Sequence, residues 1–106
     1  MKTIEMIQKL SILHCMYQMI ASADGAIDEE RDQAAIEIAL SELDLPINCW
    51  DRALRLNPHD CFIHVSTLND DDKQQFKSLL LKIADMGGNN FFRVSCANHI
   101  FQLANI

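Results

Sequence analysis

Apolar residues recur at helical spacing through the first quarter of the chain, and this run ends at a glycine. Between Thr3 and Ala23, five of them are separated by 4, 3, 4 and 3 positions: Met6, Leu10, Leu13, Tyr17 and Ile20. This spacing places them on one face of an α-helix. Because glycine adopts a left-handed conformation cheaply, we expect the helix to end at Gly25. The sequence therefore predicts a long first helix that is connected to a second helix by a turn at Gly25.

Further helix-start signals follow along the chain. Asparagine or aspartate precedes each later apolar run, and Pro58 stands where a first helical residue is expected. These side chains accept hydrogen bonds from the free backbone N–H groups of a helix start. Helices are predicted to begin near these residues: Thr3, Asp28, Asn48, Asn57, Asn69 and Asn90.

A weak internal repeat supports a helical fold. The segments 20–25 and 83–88 each follow a long amphipathic run, each ends in glycine, and each precedes another predicted helix. No segment shows the sustained alternation of a β-strand. With 106 residues, the chain is expected to form one domain over 1–106. The prediction is an all-α, single compact domain of about five to seven helices, arranged as two pseudo-repeated helical hairpins.

The charge balance limits the classes of partner. The net charge is −6 and the sequence pI is about 5.0, which disfavours nucleic acid and anionic membranes as ligands. Polar residues interrupt the apolar residues of 10–23, so membrane insertion is not expected. The N-terminus lacks the pattern of a signal peptide, and a cytoplasmic location is predicted.

Residues 23–30 read Ala-Asp-Gly-Ala-Ile-Asp-Glu-Glu, a pattern that resembles the TerB-like (tellurite-resistance protein B) family of small helical proteins. Asn57-Pro58, the acidic start at 69–72 and the degenerate second motif at 84–88 occupy the places that the family pattern leads us to expect. The resemblance extends from about Leu10 to Leu103. It implies an all-helical module linked to stress or tellurite response.

The same segment contains a candidate metal site. Four acidic residues fall within seven positions: Asp24, Asp28, Glu29 and Glu30. Oxygen ligands of this type bind hard cations such as Ca²⁺ or Mg²⁺. The alternative is that Asp28 caps a helix, the two glutamates complement the helix dipole and Asp24 shapes the turn. No tightly bound cofactor is expected, and weak binding of Ca²⁺ or Mg²⁺ is the leading cofactor hypothesis.

Four cysteines are present, at 15, 49, 61 and 96, without a Cys-x-x-Cys motif. They are expected to be small core or boundary residues. A zinc or redox site that uses Cys15, Cys96 and His99 is a less favoured hypothesis.

Catalytic motifs are not recognisable, so the leading prediction is a non-enzymatic, TerB-like cytoplasmic module that acts through contacts with an unknown protein partner. The first alternative is a weak divalent-cation-binding protein, and the second is the zinc or redox protein. A monomer and a homodimer are both compatible with the sequence. If Trp50 or Phe92 is exposed, it would mark a partner surface.

Overall fold

The chain forms six α-helices in a computed structural model that describes residues 3–87 and 89–106. Met1, Lys2 and Gly88 lie outside the described residues, so the prediction of a stop at Gly87-Gly88 is addressed only at Gly87. The helices are α1 (Met6–Asp24), α2 (Glu29–Leu43), α3 (Asn48–Leu54), α4 (Pro58–Ser66), α5 (Asp70–Ala84) and α6 (Asn90–Leu103). The described residues contain no strand. The all-α prediction is confirmed.

Helix starts are governed by the predicted caps in three cases. Asp28, Asn57 and Asn69 each occupy the N-cap of the following helix, and each side chain accepts a backbone N–H from its first turn. Pro58 is the first residue of α4. Gly25 ends α1 with φ +87°, a left-handed conformation that glycine adopts without a steric penalty.

Two predicted caps are wrong, although α3 begins at Asn48 as predicted. The first helix is capped at Glu5 rather than Thr3, and the Glu5 backbone N–H donates to the side chain of Gln8 at 3.0 Å. In α3, Ile47 is the N-cap and already has helical φ and ψ angles. Asn48 is therefore inside the helix, where its side chain cannot cap.

Helix α1 is the central element of the fold. It contacts all five other helices, most extensively α4, α6 and α3. Its residues from Lys9 to Met16 are all buried, whereas the sequence predicted only one buried face. Because neighbours surround α1, positions outside the predicted stripe, such as Ile12 and Cys15, are also in the core.

The two helix–glycine–helix units meet at their turns. The backbone N–H of Asn89, which precedes α6, donates to Asp24 Oδ1 at the end of α1 (3.2 Å). The Asn89 side chain contacts the carbonyl oxygen of Ala23 (3.4 Å). The α1–α2 turn and the α5–α6 turn are thus adjacent, which places the predicted acidic segment against the start of α6.

Candidate functional site

The four acidic residues of the predicted metal site have different surroundings. Asp28 Oδ1 accepts hydrogen bonds from the backbone N–H groups of Glu30 (3.0 Å) and Arg31 (3.1 Å). Glu29 and Glu30 are exposed in the first turn of α2. Asp24 has a buried side chain and faces the start of α6. The described residues 3–87 and 89–106 include no group of three or more His, Cys, Asp or Glu side chains placed to hold a metal ion.

Asp24 is bound by arginines. Arg93 of α6 donates to Asp24 Oδ2 through Nε (3.1 Å) and Nη2 (2.5 Å). Arg31 Nη2 is 3.1 Å from the same oxygen. A cation that used this oxygen would have to replace guanidinium groups that already neutralise it.

Asp32, four positions after the cap, completes the cluster. Its Oδ1 accepts from Arg93 Nη2 (3.0 Å), and its Oδ2 accepts from Arg31 Nη2 (2.6 Å) and from the backbone N–H of Asp28 (3.0 Å). Two aspartates and two arginines therefore form one charge-balanced network. Asp24, Asp32 and Arg93 have side chains at most 3% exposed, while Arg31 covers them from the solvent side at 38%.

The network lowers the pKa of both aspartates. Burial alone would raise the Asp24 pKa, but hydrogen bonds from Arg93 and from the Asn89 backbone, together with both guanidinium charges, outweigh burial and hold the pKa below its ordinary value. Burial alone would also raise the Asp32 pKa. Hydrogen bonds from Arg31, the Asp28 backbone and Arg93 outweigh burial and lower that pKa. Both carboxylates are thus kept ionised as partners of arginine.

The sequence reasoning missed Arg93 and Asp32, although both carry a recognisable signal. Arg93 precedes Ala97 and Ile100 by one and two helical turns, so it lies on the buried stripe of α6. Asp32 stands one turn before Ala35 and Ile36 on the buried face of α2. A charged residue in register with a core stripe needs a buried partner of opposite charge. Two such residues of opposite charge are therefore expected to pair with each other.

The cysteine and histidine residues of the zinc or redox hypothesis differ in burial. Cys15 is fully buried, and burial, followed by the nearby Cys61, raises the pKa of its thiol strongly. Cys96 is half-buried, and His99 is exposed on α6. A raised thiol pKa opposes thiolate formation at Cys15, and thiolate is the form that reacts and binds metal.

Helix α6 exposes a face with large apolar residues and no lysine, arginine, aspartate or glutamate. Phe92, Cys96, His99 and Leu103 recur at spacings of 4, 3 and 4 along one side of the helix; we call them the α6 face. Phe92 and Leu103 are 57% and 51% exposed, and the adjoining Phe91 is 77% exposed. Beside this face, a groove of about 430 Å³ is lined by residues of α1, α4 and α6, including Phe62.

The α6 face also lacks formal charge. Apart from Arg93, which is buried and paired, α6 contains no lysine, arginine, aspartate or glutamate. Trp50, by contrast, is buried at 4% exposure. Of the two large residues whose exposure was to mark a partner surface, only Phe92 is exposed.

Comparison with family models, curated proteins and solved structures gives no match for this chain. No helix in the described part of the chain is long and apolar enough to cross a lipid bilayer.

Proposed function

We propose that this protein is a non-enzymatic, TerB-like module of the cytoplasm that acts in stress or tellurite response through protein contacts, with the α6 face as the contact surface. The exposed aromatic and aliphatic residues of that face carry the proposal. Aromatic side chains are enriched in the buried centres of protein interfaces. A contiguous apolar patch that is exposed to solvent is typical of a partner surface.

The lack of charge on the α6 face favours a protein as its ligand. Phe91 and Phe92 pack edge to face, with ring centroids 5.6 Å apart, and form an apolar projection at the start of the helix. Docking of an apolar partner here requires no desolvation of an ionised lysine, arginine, aspartate or glutamate of α6. The partner is either a second copy of this chain or another protein.

The test compares Phe92→Asp with a matched control, Asn98→Asp, which adds the same charge at an exposed position of the same helix. We expect cross-linking in cells to capture a partner or a dimer with the wild type and the control, and not with Phe92→Asp. Size-exclusion chromatography with light scattering separates dimer from monomer. Equal capture by all three proteins contradicts the proposal.

The link to stress response is tested separately by growth. Deletion of the gene is expected to increase sensitivity to tellurite, and wild type and Asn98→Asp are expected to restore growth where Phe92→Asp does not. If the deletion strain grows normally on tellurite, the tellurite part of the proposal is wrong. The protein contact is then judged by the cross-linking test alone.

Divalent-cation binding at Asp24, Asp28, Glu29 and Glu30 stays a prediction. A cation that binds the native state must raise the midpoint of thermal unfolding. Thermal unfolding at increasing concentrations of Ca²⁺, Mg²⁺ and Mn²⁺ tests this. The Asp28→Asn variant tests whether binding requires this acidic segment. An increase that Asp28→Asn abolishes supports the cation site, and a midpoint that no cation changes contradicts it.

A further inference from the structure

A second surface lies between α2 and α3, away from the α6 face. It is an open groove of about 520 Å³, within the range of ligand-binding clefts. Ile36 and Trp50 line it as buried residues, and Ile47 lines it at 68% exposure. Ile47 and Trp50 come from the start of α3, and Ile36 comes from the middle of α2. The groove therefore offers an apolar contact to a ligand.

Carboxylates surround this apolar contact. Glu29, Glu30 and Glu37 of α2 and Asp51 of α3 line the groove, and all four are exposed. Within the part of the chain that the structure describes, no lysine or arginine lines it. Arg31, the neighbouring cation, is instead engaged by Asp24 and Asp32. The negative charge of the groove is thus left for a ligand to neutralise.

Trp50 also contains a buried polar atom without a hydrogen-bond partner. Its indole Nε1 is buried, and it is the one buried side-chain nitrogen or oxygen among the described residues without a hydrogen-bond partner. A buried donor without an acceptor costs about 1–3 kcal/mol.

We infer that the α2–α3 groove binds an amphipathic segment of a partner protein that carries lysine or arginine residues. An apolar side chain of the segment contacts Ile47 and Trp50, and its basic residues pair with Glu30, Glu37 and the other two carboxylates. Charge complementarity of this kind directs the encounter and excludes acidic segments. Amphipathic segments that insert an apolar face into a groove are a recurrent mode of peptide recognition. This inference does not depend on the α6 face.

The experiment uses the full chain and three synthetic amphipathic peptides that share one apolar face and differ only in their polar face, which is basic, neutral or acidic. Trp50 is the only tryptophan, so its fluorescence reports on the groove, and NMR amide shifts map the contact. We expect saturable changes with the basic peptide, centred on α2 and α3, that weaken as salt is raised. The acidic peptide is expected to give none.

Matched variants separate groove charge from overall charge. Glu30→Gln with Glu37→Gln is expected to weaken binding of the basic peptide about tenfold, equivalent to about 1.4 kcal/mol. The control, Asp70→Asn with Asp71→Asn, removes the same charge from exposed positions of α5 and is expected to leave binding unchanged. Ile47→Ser tests the apolar contact, with Leu81→Ser as its exposed counterpart.

Any of the following results would overturn the inference: equal binding of all three peptides, equal loss in the groove and control variants, no saturable change with the basic peptide, or equally tight binding of spermine alone. Spermine carries positive charge without an apolar face, so its equal affinity would identify a polyamine site instead. Shifts confined to α6 would also overturn this inference while supporting the proposed α6 contact surface.

Discussion

Arg93 donates two hydrogen bonds to the carboxylate of Asp24, a residue 69 positions earlier in the chain. The same guanidinium also reaches Asp32 in α2. One side chain of α6 therefore joins the end of α1 to the first turn of α2. Because the contact is buried, the charges are little screened by solvent, and the loss of one partner leaves the others buried and uncompensated.

Replacement of Arg93 by methionine is expected to lower the free energy of unfolding by about 3–5 kcal/mol, since it removes the buried guanidinium that both buried aspartates share. Arg31→Met is the matched comparison, because Arg31 contacts the same two aspartates from a more exposed position. Its effect is expected to be clearly smaller. Urea denaturation of both variants measures the difference, and equal losses would contradict the central role of Arg93.

The lowered pKa values of Asp24 and Asp32 predict a stability loss in acid. An unfolded aspartate has a pKa of about 3.9. The two carboxylates contribute their full stabilisation above that value, and the contribution disappears as pH falls through the lower folded pKa, because the unfolded chain binds protons first. NMR titration of the Asp24 and Asp32 carboxyl carbons measures the folded values. Midpoints at or above about 3.9 would contradict the prediction.

His14 predicts a separate loss of stability at mildly acidic pH. Its ring is buried, with Nδ1 2.9 Å from the carbonyl oxygen of Ala53 and Nε2 3.1 Å from Gln18 Nε2. Burial lowers its pKa more than the Ala53 hydrogen bond raises it. The folded state therefore favours the neutral ring, which donates from Nδ1 and accepts at Nε2.

The stabilisation from neutral His14 is complete above the unfolded pKa of about 6.5 and is lost as pH falls through the lower folded value. Denaturation between pH 7.5 and pH 5 should show this loss in the wild type and in the exposed-site control His59→Gln. The His14→Gln variant should show a flatter dependence. The same slope in all three proteins would exclude His14 as its source.

Thiol accessibility should divide the four cysteines into two classes. Cys15, Cys49 and Cys61 are buried, and Cys96 is half-buried. Burial also raises the pKa of Cys61, and a hydrogen bond from Ser11 opposes that rise. We expect one thiol, Cys96, to react with a thiol reagent in the native protein and the other three to react at the rate of unfolding. A Cys96→Ser variant with one fast-reacting thiol would contradict this assignment.

Helix starts were predictable where an asparagine or aspartate caps its own helix. Asp28, Asn57 and Asn69 cap their own helices, because a side chain two or three residues from a free N–H reaches it in any helical context. The cap predicted at Asn48 is wrong, because Ile47 occupies the N-cap with helical φ and ψ angles and Asn48 is already inside the helix.

The candidate sites differ in how much of each could be predicted without the tertiary structure. The acidic residues from Asp28 to Glu37 can be read from the sequence, but the sequence does not show that Ile47 and Trp50 join them in one groove. Likewise, the exposure of Phe92 follows from which side of α6 packs against α1 and α5. A helix with apolar residues around most of its circumference does not itself specify its buried side.

The sequence by itself determined the helical class, the turn at Gly25 and the principal caps, since each depends on residues a few positions apart. Only the tertiary structure decided that α1 is enclosed by its neighbours and that Asp24 is paired with Arg93. These outcomes depend on packing between distant segments, where burial makes an unpaired charge costly and so selects the arrangement that brings opposite charges together.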